Sequence, residues 1–442
     1  MAKTSPSSSL LKSSSYSLLG YAAQLGLAFV SFLLLVRAMS PYDFGVWVLF
    51  LTPTSFAEMG RIGLTQNAVV KFYIEDQEEQ PRILTAGFIL NTLCTIVLSL
   101  LLIGISYPLS ILWSAPELPA LLLWYPAIAL IHGTARYFDA IHMAQQDFRG
   151  IFWSKLLYGL IFILGICYVW WTIGSVSIFY LPVLQLIAAI PSLVLFAIYK
   201  RSYLRFGSLD LKWGKKIFHF GKYVLGTNFS SMFFNKVDLL MLAFFLNPVA
   251  VGLYNVATRI TNYMEVPMSG ISQAIYPRLA QVGKEQGYLK VGALYERSVG
   301  YLLALTIPIV IVVFFFPEPI IALVAGQKYL TAAPVLSILV IAVLVKPWGR
   351  LFGITLDAIG KPKLNFYFLL VGLLLNIVLN AVFIQLWGLK GAAFATLLSL
   401  WTFVIAGQLF IMRIVPIRQA EIWRRFWIFY RQPMTELRMQ NL

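Results

Sequence analysis

Seven ionisable side chains lie inside long apolar stretches of this 442-residue sequence: Glu58, Lys236, Asp238, Arg259, Glu265, Lys346 and Arg350. Arg136 and Asp357 stand near the ends of such stretches, Asp357 in the one that carries Lys346 and Arg350. A charge at bilayer depth costs several kcal/mol unless it faces a wet cavity or a partner, so these residues are the first candidates for function. Lys346, Arg350 and Asp357 follow i, i+4, i+11, one stripe of a helix, which gives that helix a mainly basic face. Four cations, Lys236, Arg259, Lys346 and Arg350, with Arg136 as a fifth, suit an anionic head group such as a phosphate or diphosphate. The acids Glu58, Asp238, Glu265 and Asp357 suit ion coupling or gating. Glu58 and Arg61 can also neutralise each other as an i, i+3 pair.

Other chemistry finds little support. His132, His142 and His219 are scattered, without cysteines or carboxylates at metal-ligand spacing. The stretch from Gly353 to Gly360-Lys361-Pro362 is two residues too long for a phosphate loop, and Pro362 replaces the Ser/Thr that would hold Mg²⁺. No catalytic residue, metal or cofactor is therefore expected, and transport work would draw on H⁺ or Na⁺ coupling, on the membrane potential or on the substrate's own gradient. Cys94 and Cys167 both fall in apolar runs, which argues against a disulfide framework.

The elements that must position these charges are membrane helices. Sixty per cent of residues are hydrophobic and 12% are charged, about half the charge of a soluble domain. Apolar runs of about 20 residues predict twelve spans: 16–36, 44–62, 84–106, 118–142, 151–173, 176–199, 217–246, 249–277, 299–316, 332–359, 364–386 and 392–414. Pro53, Pro126, Pro182, Pro191, Pro267, Pro308 and Pro347 interrupt them and free backbone groups.

The chain also repeats itself. Pro41, Gly45 and Glu58 recur 207 residues later as Pro248, Gly252 and Glu265, and Leu19-Gly20 recurs as Leu225-Gly226. Further on the offset drifts to 214: Arg136 aligns with Arg350 and Ala144 with Ala358. Six helices per half is an even number, so the repeats are parallel, related by an axis along the membrane normal. The expected divisions are an N-terminal lobe over 1–205, a C-terminal lobe over 206–415 and an amphipathic cytoplasmic segment over 416–442. Such a chain is expected to bind its substrate between the lobes, around a central cavity.

Of 34 lysines and arginines, 27 fall in segments predicted on one side, Lys3, Lys12, Arg61, Lys200, Arg201 and Arg438 among them. The opposite loops hold Arg37, Lys328 and Lys390. This bias predicts cytoplasmic termini. The net charge of +16 is then mostly topological, with attraction of anionic lipid as a secondary role. Nucleic-acid binding is not expected of charges spread over so many segments. Trp423, Phe426, Trp427 and Tyr430 at i, i+3, i+4, i+7, interleaved with arginines, predict a helix in the inner interface.

Several runs resemble a known family. Met39-Ser40-Pro41-Tyr42-Asp43-Phe44-Gly45-Val46-Trp47 is similar to the signature after helix one of polysaccharide transporters. Val237-Asp238-Leu239-Leu240-Met241 with Val251 through Ile260 resembles their helix seven–eight segment. Ala358 through Lys363 and Trp387-Gly388-Leu389-Lys390-Gly391-Ala392-Ala393 resemble their C-terminal motifs. The chain is thereby identified with the polysaccharide transporter branch of the multidrug/oligosaccharidyl-lipid/polysaccharide (MOP) superfamily, which includes the Wzx-type O-antigen flippases.

That resemblance implies a MATE-like, all-α integral membrane fold of two six-helix bundles around a cavity alternating between cytoplasm and periplasm. It implies a flippase of the bacterial inner membrane that carries polyprenyl-diphosphate-linked oligosaccharide for lipopolysaccharide or exopolysaccharide biosynthesis. Its partners would be that lipid-linked substrate, membrane lipid, and polysaccharide polymerase and chain-length machinery. Three alternatives stand beside it: a cation-coupled multidrug exporter, a lipid II flippase and a non-transporting scaffold for polysaccharide assembly. Exporters typically carry an acid in helix one, and 16–36 has none; lipid II flippases resemble a fourteen-helix plan.

Overall fold

The computed structural model describes residues 6–145, 147–199 and 205–431, with side chains left aside at 6–18, 196–199, 227, 228, 230, 231 and 234. Lys3, Lys200, Arg201, Arg438 and the stretch 432–442 lie outside the described residues. Among the described residues all regular structure is helical. The first part comprises α1 (Pro6–Ala38), α2 (Pro41–Glu75), α3 (Gln80–Leu112), α4 (Leu118–Leu122), α5 (Tyr125–Ala144), α6 (Arg149–Ile173) and α7 (Tyr180–Tyr199). It is followed by α8 (Leu211–Phe245), α9 (Pro248–Met264), α10 (Val266–Glu285), α11 (Gly287–Phe315) and α12 (Pro317–Ala325). The last are α13 (Ala333–Val343), α14 (Lys346–Ala358), α15 (Pro362–Ile411) and α16 (Gln419–Arg431).

Each predicted span falls on one of these helices or on a broken pair. Three spans read as continuous are broken: 118–142 between α4 and α5, 249–277 at Glu265, and 332–359 at Leu344–Val345. In each case a proline occupies the first turn after the break (Pro126, Pro267, Pro347), where its missing N–H is harmless. Pro53, by contrast, sits inside an unbroken α2. By length and apolarity six described helices could cross a bilayer, plus one pair bent by 44°, so the count of twelve is not reached on that criterion. One of the six, α15, is two limbs: fifty residues would extend about 75 Å, against a hydrocarbon core of about 30 Å. The chain reverses at Gly388 (φ 57°, ψ −132°), and a Cβ on Gly391 would collide with the Phe383 carbonyl.

The chain forms two compact units. Unit one holds residues 1–236 and 247–252; unit two holds 237–246 and 253–442. The sequence boundary at 205/206 lies ahead of α8, whereas the contacts divide within that helix. The reason is local packing: Gly221 abuts the Leu64 backbone, and Phe220 meets Phe72 edge-on at 5.9 Å. The core of unit one joins Val69, Phe72, Ile83, Leu84, Tyr137, Phe138 and Ile217. Tyr137 spends its hydroxyl on the Leu84 carbonyl at 2.7 Å, which lets a phenol stay buried.

The repeated Pro…Gly spacing has a structural cause. Ser40 caps α2 by accepting from the Asp43 N–H at 3.0 Å; Asn247 caps α9 by accepting from the Ala250 N–H at 3.0 Å. Pro41 and Pro248 then occupy the first helical turn. Within unit one these helix starts cross. A Cβ on Gly45 would run into the Pro248 carbonyl, and one on Gly252 would lie 2.6 Å from the Pro41 oxygen. Each glycine receives the other repeat's proline.

In unit two, α11, α13, α14 and α15 share a core. Phe352 meets Phe368 and Phe403 at 5.1 and 5.9 Å, above Gly407. Tyr295 and Gln408 satisfy each other there at 2.6 Å.

Candidate functional site

In unit one, a buried polar cluster centres on Arg61. Its guanidinium, 2% exposed, pairs with Glu58 one turn earlier on α2. It also donates to Asn91 Oδ1 on α3 at 2.7 Å and to the Gly133 carbonyl on α5 at 3.1 Å. Gly133 leaves room here, since a Cβ would stand 3.2 Å from the guanidinium. Tyr125 reaches the other Glu58 oxygen at 3.5 Å. Arg61 thus ties three helices together; it stands within α2, not in a loop or at a helix end, and is buried because Glu58, Asn91 and a helix carbonyl replace water. Arg136 lies further along α5, 41% exposed, with Asp139 at 3.9 Å.

The repeat mate of Glu58 is neutralised differently. Glu265 occupies the break between α9 and α10, and pairs with Lys346 at the start of α14, immediately after the other break. Lys346 therefore cannot act as the unopposed cation that the basic stripe suggested. Arg350, one turn on, differs. Its Nε is buried with no hydrogen-bond partner, and among the described residues no carboxylate lies within ion-pair reach of it. Asp357 is held by Asn365, whose amide donates to both carboxylate oxygens at 3.1 and 3.2 Å. Arg259 is half-buried on α9, in unit two; Lys236 is half-buried on the unit-one part of α8.

Asp238, in unit two, has the most elaborate surroundings. One oxygen accepts from Asn380 Nδ2 at 2.8 Å; the other accepts from Thr396 Oγ1 at 2.8 Å and the Tyr254 hydroxyl at 3.1 Å. Asn380 and Asn376, one turn apart on the first limb of α15, are linked at 3.0 Å, and Asn376 donates to Ser399 Oγ at 3.1 Å. The donors come from α9 and both limbs of α15, so the chain's reversal at Gly388 is what brings Thr396 opposite Asn380. All are neutral. Asn380 Oδ1 is buried with no donor, which leaves an extra acceptor beside the carboxylate. Tyr254 and Asp238 belong to the runs that carried the family resemblance, and Thr396 follows the last of them, which ends at Ala393, by three residues. Asn376, Asn380, Tyr254, Thr396 and Asn91 were not singled out from sequence; the available signal was an amide in a leucine-rich run, twice at i, i+4. Among the described residues no group of three His, Cys, Asp or Glu side chains could hold a metal ion.

Comparison with known proteins bears on this arrangement. A family model described as polysaccharide biosynthesis protein matches residues 34–334. The chain is 25% identical over 190 residues to the probable low-salt glycan biosynthesis flippase Agl15 of Haloferax volcanii, covering 43% of this chain and 40% of that protein. It thus spans about two fifths of that relative's length. It is 20% identical to the putative O-antigen transporter of Shigella flexneri over 87% of this chain and 93% of the other. Among solved structures, the lipid II flippase MurJ in an inward closed conformation superposes with a TM-score of 0.73 at 16% identity, covering 93% of this chain and 90% of MurJ. An inward-facing multidrug resistance MATE family transporter of the MOP superfamily gives 0.73 and 16%, covering 88% and 94%. At such identities these likenesses show the fold, which is that of the MOP transporters.

Proposed function

The chain belongs to the polysaccharide biosynthesis protein family, and from that premise we propose that it is a secondary transporter flipping polyprenyl-diphosphate-linked oligosaccharide across the bacterial inner membrane. Both termini are cytoplasmic in this reading, and twelve segments cross the bilayer. The lipid tail can remain in the bilayer while the diphosphate and sugars cross, so the protein must offer cationic compensation along a polar route. Arg350 carries the reading. It is a guanidinium with no carboxylate partner among the described residues, one turn from an already neutralised lysine, so its charge is left for a phosphate oxygen to answer. Lys236, Arg259 and Arg136 are the further cations assigned to the head group; Lys346 would take part only by exchanging Glu265 for substrate.

Asp238 is the coupling carboxylate in this reading. Three neutral donors hold it, no cation pairs with it among the described residues, and the orphan Asn380 oxygen adds an acceptor. A proton or Na⁺ bound there would balance its charge. Work is then drawn from an ion gradient through alternating access.

The test is reconstitution of the purified protein in liposomes with a fluorescent polyprenyl-diphosphate oligosaccharide, followed between leaflets. Protein-dependent movement lost in Arg350→Ala with unchanged thermal stability supports the proposal. Efflux of a lipophilic cation without lipid movement would shift the assignment to drug export, and transport that survives Arg350→Ala and Lys236→Ala together would remove the cationic route.

A further inference from the structure

The interfacial helix predicted near the C-terminus does not lie alone. It docks along the middle of α11, in the same unit. The Glu296 carboxylate accepts the Arg418 N–H at 2.6 Å, just before α16 begins. Ile422 and Phe426 are buried over Gly300, where a Cβ would lie 2.7 Å from the Ile422 carbonyl and 2.7 Å from Arg425 Cβ. Tyr301 faces Phe429 at 5.6 Å, and the Tyr430 hydroxyl donates to the Ala304 carbonyl. The helix therefore advances beside α11 from Glu296 to Ala304, across the level where the predicted span begins at Val299.

Its outer stripe is built for a different medium. Arg424, Trp427, Ile428 and Arg431 follow i, i+3, i+4, i+7 and border an open surface hollow of about 340 Å³. Trp427 is 59% exposed, and the Arg424 side chain 60%. Arg424 shares its charge with Glu421 at 2.8 Å, the one acid on α16 against three arginines. Two guanidiniums about 10 Å apart along the axis flank an indole and an isoleucine. The charged groups call for phosphate, and the apolar pair between them calls for the glycerol and acyl boundary beneath it.

We propose that this stripe is a binding site for the phosphate head group of an anionic phospholipid in the leaflet that α16 enters. Its evidence is separate from Arg350 and Asp238, and it depends on the topology only for which leaflet that is. The lipid would brace α16 against α11, and through α11 the packed core around Tyr295 and Phe352.

Native mass spectrometry on the full-length protein tests the site with four probes: phosphatidylglycerol, phosphatidylcholine, inorganic phosphate and polyprenyl diphosphate. Retention of phosphatidylglycerol over phosphatidylcholine is expected to fall roughly fivefold for each of Arg424→Gln and Arg431→Gln, and to rise in Glu421→Gln, which frees Arg424. Thermal unfolding of each variant without lipid separates this loss from misfolding, and Arg424→Lys with Arg431→Lys is expected to keep most of the selectivity. Equal retention of the two phospholipids, or retention unchanged in both glutamine variants, overturns the site. Inorganic phosphate competing at the same concentration overturns the lipid assignment in favour of a bare anion site. Polyprenyl diphosphate bound more tightly than phosphatidylglycerol, and lost in the same variants, overturns it in favour of a substrate site.

Discussion

Arg61 and Asp238 mark two ways of keeping a charge inside an apolar protein. Arg61 is answered by an opposite charge and two neutral acceptors, so it serves as a structural tie between α2, α3 and α5. Removing one partner of a buried pair leaves the other uncompensated, so Arg61→Ala should destabilise unit one by about 3 kcal/mol, measured as a lowered thermal midpoint in detergent. The doubly neutral Glu58→Gln, Arg61→Met should recover part of that loss. If the single variant melts like wild type, Arg61 is not a tie. Asp238 is answered only by neutral donors among the described residues, so in the proposed coupling its charge is left for a proton or Na⁺ to balance. Asp238→Asn should make substrate binding independent of H⁺ and Na⁺ gradients, erasing a coupling of roughly 5- to 150-fold, as read by substrate affinity with and without each ion. A variant that retains full ion dependence would place the coupling elsewhere.

Helix starts and helix breaks carry the next level of information. The crossing of α2 with residues 247–252 leaves no volume for a side chain at Gly45 or Gly252. Gly45→Leu or Gly252→Leu should abolish folded, monodisperse protein. Gly26→Leu, with open space around its Cα, should be tolerated; size-exclusion profiles of the three decide it. The breaks at Glu265 and at Leu344–Val345 are joined by the Glu265–Lys346 pair, which fixes α10 against α14. Lys346→Met should loosen the α10–α14 contact, seen as faster hydrogen exchange at 262–270, without changing exchange in unit one.

At the scale of the molecule, the alternating distribution of lysine and arginine is a prediction about sidedness. Reporter fusions that are active only outside the cytoplasm should be active at Asn247 and Lys390 and silent at Asp210 and after Arg431. Activity at Asp210 would break the topology. The α15 reversal adds a span that a helix count alone would miss.

What the sequence determined by itself was the solvent, the element type and the duplication. Composition forces burial of backbone polar groups within helices wherever lipid replaces water, and the Ser40-Pro41 and Asn247-Pro248 caps are local chemistry that can be read residue by residue. Glu58–Arg61 was legible for the same reason, since i, i+3 neighbours meet on any helix. The tertiary structure alone decided which charges remain unanswered. Lys346 and Arg350 look alike in sequence, yet Glu265, 81 residues before Lys346, neutralises the first and leaves the second. Asp238 likewise acquires Asn380 and Thr396 from 142 and 158 residues away. Partners at such separations are chosen by how helices pack, and spacing along the chain carries no record of it.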